Sequence, residues 1–359
     1  MSSGKQMLWW GRFDPAYSRN GVLRQHLADL GWTVRDFRPR FCALGDLEAA
    51  LRRLPKPDAV WVPCFRQRDV AAARRWCNRK GVPLLFDPLI SAYDKQVWER
   101  FKLKEERGAA RRLLAWERAL FAKADRVLAD TACHAAYFSD ELGVLQERVS
   151  VVYVGAEEAL FKPETEQADA GRAQRSRATQ GPAEVLFYGS FIPLHGAETI
   201  VEAARLYEGP AVRWCLLGAG PLRAACERSA AGLENVCFEG PIPYGQVPAR
   251  IRRADILLGV FGTTGKAGRV MPNKVFQALA CGRPVITRES DAYPFEARGT
   301  EGLAFVPAGA PRALAAAVAA WASEPARLGE RGRVARQAYE AYFSSAVVRR
   351  QLAAALAGL

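Results

Sequence analysis

Short apolar runs alternate with longer amphipathic stretches along almost the whole chain. Residues 6–10, 32–37, 59–62, 83–86, 126–129 and 149–154 read as strands in the first half. Residues 185–188, 213–217, 236–239, 256–261, 284–287 and 302–306 do so in the second. Helical patterns fall between them: 22–30, 46–53, 69–80, 93–123 and 131–142, then 197–206, 222–231, the helices opening at Pro311 and Pro325, and a final one over 344–359 with an alanine and leucine face. Residues 11–21, GRFDPAYSRNG, read as a turn-rich loop. Such alternation predicts an α/β chain built on parallel sheets. Its 359 residues exceed what one small core holds, so two domains are expected. The polar run 163–182, PETEQADAGRAQRSRATQGP, carries no large apolar side chain and sets a linker at 161–182. The predicted parts are therefore 1–160, 161–182, 183–343 and 344–359.

One stretch stands out, GTTGKAGRVMPNKVFQALACGRPVIT over 262–287. It follows a strand and reads as a loop rich in glycine and cations, a short helix and another strand. Pro272 suits the helix's first turn and Gly282 its C-terminal stop. Val275, Phe276, Leu279 and Ala280 form the buried stripe. Lys266, Arg269 and Lys274 gather about the helix start, where free N–H groups and the dipole favour an anion. A diphosphate is the simplest occupant, with Asn273 and Gln277 on a neighbouring face and Gln277 near a sugar hydroxyl. The alternative is a solvated basic loop leading into an ordinary packing helix.

Further candidates come from the rule that ligands of open α/β sheets bind beyond the carboxyl ends of strands. In the first half these are Gly11, Asp14, Arg19, Asn20 and Asp87. In the second they are the turns Gly189-Ser190 to His195 and Gly218-Ala219-Gly220-Pro221, and the segment from Pro241 to Tyr244. Neither turn is a complete dinucleotide fingerprint, and no Walker lysine-serine pair follows a glycine loop. Asp87 also suits a cap on the following helix, and His195 a hydrogen-bonded helix-start residue.

The net charge of +13 implies attraction to phosphate. No helix-turn-helix, zinc-finger or RNP-type aromatic motif directs that charge to nucleic acid, so no nucleic-acid partner is expected. The eight cysteines show no metal-ligand spacing and read as reduced core residues. No apolar run approaches a membrane span and the N-terminus lacks a signal-peptide layout, so a cytoplasmic protein is expected. Over 93–123, basic residues interleave with Trp98, Phe101, Trp116 and Phe121. That pattern suits either a helix lying on an anionic membrane, peripheral on its inner face, or a helix pair packed on the sheet with a solvated charged face.

Several segments together resemble the retaining glycosyltransferases of the GT-B fold, family-4 type (glycosyl transferases group 1). They are ADTACHAAYFSDELGV and VSVVYVGAEEALFKP within 129–163, YGSFIPLHGAETIVEAARL, LLGAGPL, NVCFEGPIPYGQVPARIRRADILL, and NKVFQALACGRPVIT. The resemblance implies two Rossmann-like domains facing across a cleft, with the C-terminal helix crossing back to the first. It implies transfer of a hexose, with retention, from a nucleoside-diphosphate sugar to a lipid-linked or oligosaccharide acceptor. Donor-binding positions would be Gly11, Gly189, Ser190, His195, Gly218, Gly220, Pro241, Tyr244, Lys266, Arg269, Asn273, Lys274 and Gln277. Asp14, Arg19 and Asn20 would lie on the acceptor side. Asp87 stands where the family carries a histidine at the end of a first-domain strand, and it would act with Arg269 and Lys274 in catalysis. The chain has no Asp-x-Asp triplet, and neither metal nor cofactor is expected. There are departures: Ser190 and His195 stand where the family has an arginine and a lysine, and Arg269 and Gln277 where it has paired glutamates. A non-catalytic GT-B scaffold, partnering a membrane or an active transferase, is the alternative these departures raise.

Overall fold

The apolar runs become strands, and those in the middle of each sheet are covered on both faces, the burial expected of parallel sheets flanked by helices. The computed structural model describes residues 4–99, 102–164 and 181–358. Most of the linker expected at 161–182 lies outside those residues. The chain divides into two units, Met1–Val154 with Ser345–Leu359, and Gly155–Ser344.

In the first unit β1 (Gln6–Trp10), β2 (Thr33–Phe37), β3 (Ala59–Val62), β4 (Leu84–Phe86), β5 (Arg126–Ala129) and β6 (Val149–Val151) form one parallel sheet in the order β2-β1-β3-β4-β5-β6. Alternate residues of β1 serve opposite cores. Leu8 and Trp10 pack with Trp76 and Phe121, whereas Met7 and Trp9 pack with Leu23 and Trp61. Helices α1 (Ser18–Asp29), α2 (Gly45–Leu51), α3 (Val70–Lys80), α4 (Gly108–Phe121) and α5 (Ala132–Asp140) connect the strands.

The sequence reading differs from the structure at two places here. Helix α1 begins at Ser18, inside the expected loop 11–21, so Arg19 and Asn20 are first-turn helical residues. The apolar pattern starts only at Val22, but the buried side chain of Arg19 pins the preceding turn. Likewise 93–123 is not one helix. A helical turn at Ala92–Asp94 runs into five residues of wider π-type winding, Lys95–Glu99, and α4 resumes at Gly108. The cause is Glu117, which is buried in α4 and accepts hydrogen bonds from Ser91 Oγ (2.5 Å) and the backbone N–H groups of Ala92 (2.5 Å) and Tyr93 (2.9 Å). It thereby satisfies the start of a separate helical turn.

In the second unit β7 (Ala183–Tyr188), β8 (Val212–Leu217), β9 (Val236–Glu239), β10 (Ile256–Leu258), β11 (Val285–Arg288) and β12 (Leu303–Val306) lie in the order β12-β11-β10-β7-β8-β9, all parallel. This is the doubly wound dinucleotide-type order, in which connections leave β7 toward opposite edges and the crevice opens between β7 and β10. Helices α6 (Ala197–Arg205), α7 (Arg223–Ser229), α8 (Val247–Arg253), α9 (Asn273–Ala280), α10 (Phe295–Arg298), α11 (Pro311–Ala322) and α12 (Pro325–Tyr342) cover its faces. The last helix, α13 (Ser345–Leu356), belongs to the first unit. Its Val348, Leu352 and Ala355 pack among Met7, Trp9, Leu27 and Trp61, and its Gln351 Oε1 accepts the N–H of Tyr153 at 3.0 Å.

Candidate functional site

In the second unit the loop after β7 and the loop after β10 meet beside the start of α9. Pro272 is extended and forms the N-cap of α9, one position earlier than its composition suggests, and offers no capping side chain. The first amides of α9 therefore have no side-chain cap. The helix ends at Ala280 with Cys281 as its C-cap, and Gly282 beyond takes φ +68°, the left-handed stop that glycine tolerates best. All of α9 from Lys274 to Ala280 is buried.

Lys274 is the residue this arrangement isolates. Its Nζ is buried with no hydrogen-bond partner among the described residues, and it lies 3.9 Å from the centre of the Phe187 ring. Burial alone holds its ammonium pKa well below the ordinary lysine range. A Cβ on Gly189 would lie 3.2 Å from Nζ and 3.3 Å from His195 Cε1, so the missing side chain at Gly189 keeps this corner open. One strand over, Gly218 at φ +135° approaches so closely that a Cβ there would fall 2.0 Å from the Gly189 carbonyl. Gly220 is similarly pressed on the backbone of Phe191.

His195 faces the same corner. Its Nδ1 hydrogen-bonds the Ser190 carbonyl. Because a carbonyl only accepts, Nδ1 carries the proton and Nε2 is left as an acceptor. Burial, then the nearby charges of Lys274 and Lys266, lower its pKa well below the ordinary histidine value. The ring is thus neutral near pH 7. Lys266 is buried in a helical turn after β10, while the Arg269 guanidinium reaches back toward Gly265. Sequence reasoning missed Arg288, at the carboxyl end of β11, whose Nη1 donates to the Gly262 carbonyl at 2.6 Å. Its place at a strand's end is the signal that could have found it.

Gln277 departs from its expected role facing a sugar. Its Oε1 accepts from the Tyr188 hydroxyl at 2.9 Å and its Nε2 donates to the Tyr244 hydroxyl at 3.2 Å, so both ends of the amide are engaged. Tyr244 donates in turn to Glu157. Gln277, the fifth of the eight residues of α9, faces the interior, and the strand-end tyrosine supplies a partner there. Asn273 is half-buried at the helix start, whereas Ser190 and Pro241 are exposed.

In the first unit the predicted residues collect at the carboxyl ends of β1, β3 and β4, but they are turned toward one another. Arg19 Nε lies 2.9 Å from both Asp87 oxygens and Nη2 lies 2.8 Å from Oδ1, with neither side chain exposed. Arg19 Nη1 donates to the Val152 carbonyl at 2.9 Å. Burial pushes the Asp87 carboxyl up and Arg19 pulls it back. Burial is the larger of the two effects, so the carboxyl lies above its usual range, while Arg19 keeps its proton. The pairing leaves Asp87 neither a helix cap nor a group open to a sugar hydroxyl, which corrects its expected catalytic contact and the acceptor-side contact expected of Arg19. Asn20 is buried, donating to the Asp14 carbonyl at 2.8 Å and accepting from Cys64 at 3.2 Å. Asp14 is exposed, and Gly11 closes the end of β1 at φ +133°. His134, which reads as an ordinary helix residue, pairs through Nδ1 with Asp130 at the end of β5.

Two family models match the chain: a glycosyl transferase 4-like domain over residues 10–155 and glycosyl transferases group 1 over residues 182–324. The D-inositol 3-phosphate glycosyltransferase of Segniliparus rotundus is 26% identical over 234 residues, covering 61% of this chain and 49% of that protein. The protein of the same name from Nocardia farcinica is 30% identical over 186 residues, 48% of this chain and 39% of its own length. The chain thus spans about half the length of such relatives or less. Among solved structures, Anabaena Alr3699/HepE in complex with UDP superposes with a TM-score of 0.70 at 16% identity, over 99% of this chain and all of that one (100%). The sucrose-phosphate synthase of Thermosynechococcus elongatus does so with a TM-score of 0.73 at 20% identity, over 98% of each chain.

Proposed function

The chain belongs to the group 1 glycosyltransferases with the GT-B fold, and from that premise we propose that it moves a hexose from a nucleoside-diphosphate sugar to a lipid-linked or glycan acceptor. Retention at the anomeric carbon and independence from metal are part of the proposal. The observation that carries it is Lys274, a buried cation without a partner among the described residues, at the crevice between β7 and β10. An isolated buried ammonium is costly, and a diphosphate removes that cost. As the sugar's anomeric bond breaks, negative charge grows on the departing phosphate. Lys274, Lys266 and the first amides of α9 are donors that would receive it. His195, neutral and donating through Nδ1, keeps Nε2 to accept from a hydroxyl of the donor sugar.

Acceptor recognition falls to the first unit, and a membrane-borne acceptor is favoured by its surface. Phe41, Leu44, Leu47 and Leu51 are 68%, 53%, 53% and 84% exposed, with exposed Arg40, Arg52 and Arg53 beside them. Apolar side chains at helical spacing with a cationic border suit an anionic lipid interface.

The test is titration of the purified chain with UDP, GDP and ADP and their hexose conjugates, with Lys274→Met alongside. Micromolar binding of one nucleotide family, lost in the variant, is expected. Equal binding by both proteins would refute the site. One observation favours a second reading, a non-catalytic scaffold: Arg269 and Gln277 replace the family's glutamates, and the Gln277 amide is held by tyrosines. Release of nucleoside diphosphate from any sugar nucleotide eliminates it.

A further inference from the structure

Away from the crevice, on the sheet face covered by α8, two thiols stand side by side. Cys215 on β8 is directly opposite Cys237 on the edge strand β9, and their sulfur atoms are 2.9 Å apart. Adjacent parallel strands hold paired Cα atoms within the span a disulfide bridges. Arg213, two residues before Cys215 and so on the same face, hydrogen-bonds the Cys237 sulfur.

With Glu239, the two cysteines are close enough to hold a metal ion, and the choice between metal and disulfide is decided by the neighbours. The Arg250 guanidinium is forked between the carboxylates, reaching Glu184 Oε1 at 2.5 Å and Glu239 at 2.8 and 3.0 Å. Its bonds hold the Glu239 carboxyl below the usual range. The carboxylates are thus already neutralised, and two guanidiniums oppose a divalent cation.

We propose that Cys215 and Cys237 form a reversible dithiol–disulfide pair, oxidised by a low-molecular-weight disulfide such as oxidised glutathione. Cys237, half-buried and beside Arg213, reacts first. Its thiolate attacks one sulfur of the small disulfide, breaking that bond, forming a mixed disulfide and releasing one small thiolate. Cys215 gives its proton to the Glu184 carboxylate, whose Oε2 is 3.7 Å away, and attacks the Cys237 sulfur. The protein disulfide forms and a second small thiolate leaves. Two electrons pass to the small disulfide, and the two cysteine protons, that of Cys215 by way of Glu184, end on its two thiols. The bond ties the edge strand to β8 and restrains the turns that follow both strands.

The experiment equilibrates the full chain in glutathione redox buffers, quenches by alkylation and maps tryptic peptides. It reads no activity and so stands or falls separately from the donor site. A disulfide-linked pair of peptides 214–223 and 229–250, two hydrogens lighter than the reduced pair, is the expected result. Dithiothreitol should abolish it, and amide exchange across Val236–Glu239 should slow on oxidation. Cys237→Ser should leave Cys215 fully alkylatable. Free thiols at both positions in fully oxidised buffer would overturn the proposal. So would a stable glutathione adduct on Cys237 alone, or one equivalent of tightly bound zinc that blocks oxidation.

Discussion

Lys274 couples affinity to pH in a definite direction. Its folded-state pKa is lowered by burial, so between that value and the ordinary lysine pKa the unfolded chain binds the extra proton. Stability of the unliganded protein therefore rises as pH increases through that window. A bound diphosphate restores the ammonium, so nucleotide affinity should fall over the same window. Lys274→Met should lower affinity about tenfold to a hundredfold, the worth of a charge-assisted bond, yet raise unliganded stability by about 1–3 kcal/mol. Calorimetric titration and chemical denaturation across pH check both. Asp87 makes the opposite case. Asp87→Asn strands the buried Arg19 charge and should cost about 3–5 kcal/mol, whereas the double change Arg19→Met with Asp87→Leu should recover most of that. The sequence placed both residues at strand ends, but no one-dimensional pattern tells that Arg19 and Asp87, far apart in the chain, neutralise each other. The place of Lys274 beside a helix start was legible, but its burial without a described hydrogen-bond partner was not.

Elements follow the apolar periodicity closely where it is strong. β3 and β5 have the boundaries their apolar runs suggest, because a strand buried on both faces leaves little freedom in where it stops. Periodicity fails where polar groups decide, as at the first turn of α1 and at the break before α4, where Glu117 replaces backbone partners. It located α2, expected at 46–53, but not the face that helix buries. That helix buries Gly45, Asp46 and Ala49 and turns its leucines outward, an inversion held by Asp46, which pairs with Arg75 at 2.6 Å and Arg79 at 3.0 Å. Beside it a hollow of about 400 Å³ is lined by Ala43, Arg68, Leu113 and Trp116. Flotation with vesicles containing anionic phosphatidylglycerol should therefore recover the chain, and neutral phosphatidylcholine vesicles should not. Leu47→Glu with Leu51→Glu should abolish recovery without lowering the melting temperature, because both side chains are already in water. Retained flotation would remove α2 from the membrane reading.

At the scale of the molecule, the two halves repeat one plan, a six-stranded parallel sheet with its connections leaving the first strand in opposite directions. The parallel α/β alternation was readable from the patterns, whereas the strand orders were not, and no helix among the described residues is long and apolar enough to cross a membrane. The small number of charged groups gathered at each switch point was only partly readable, since glycine spacing predicts the turn but not what the turn will face. The first unit is also closed by the far end of the chain. Leu352 is fully buried among Met7, Trp9 and Trp61, and Leu352→Ala should destabilise that unit by about 2–5 kcal/mol, read as an earlier loss of tryptophan fluorescence in urea.

The return of α13 to β1 has a consequence for how the protein is made. Helix α1 covers part of the face of β1 that carries Met7 and Trp9, but the part under Val348, Leu352 and Ala355 stays open until α13 is synthesised. A ribosome-stalled chain ending before Ser345 should bind a trigger-factor-type holdase, and release should follow when α13 emerges.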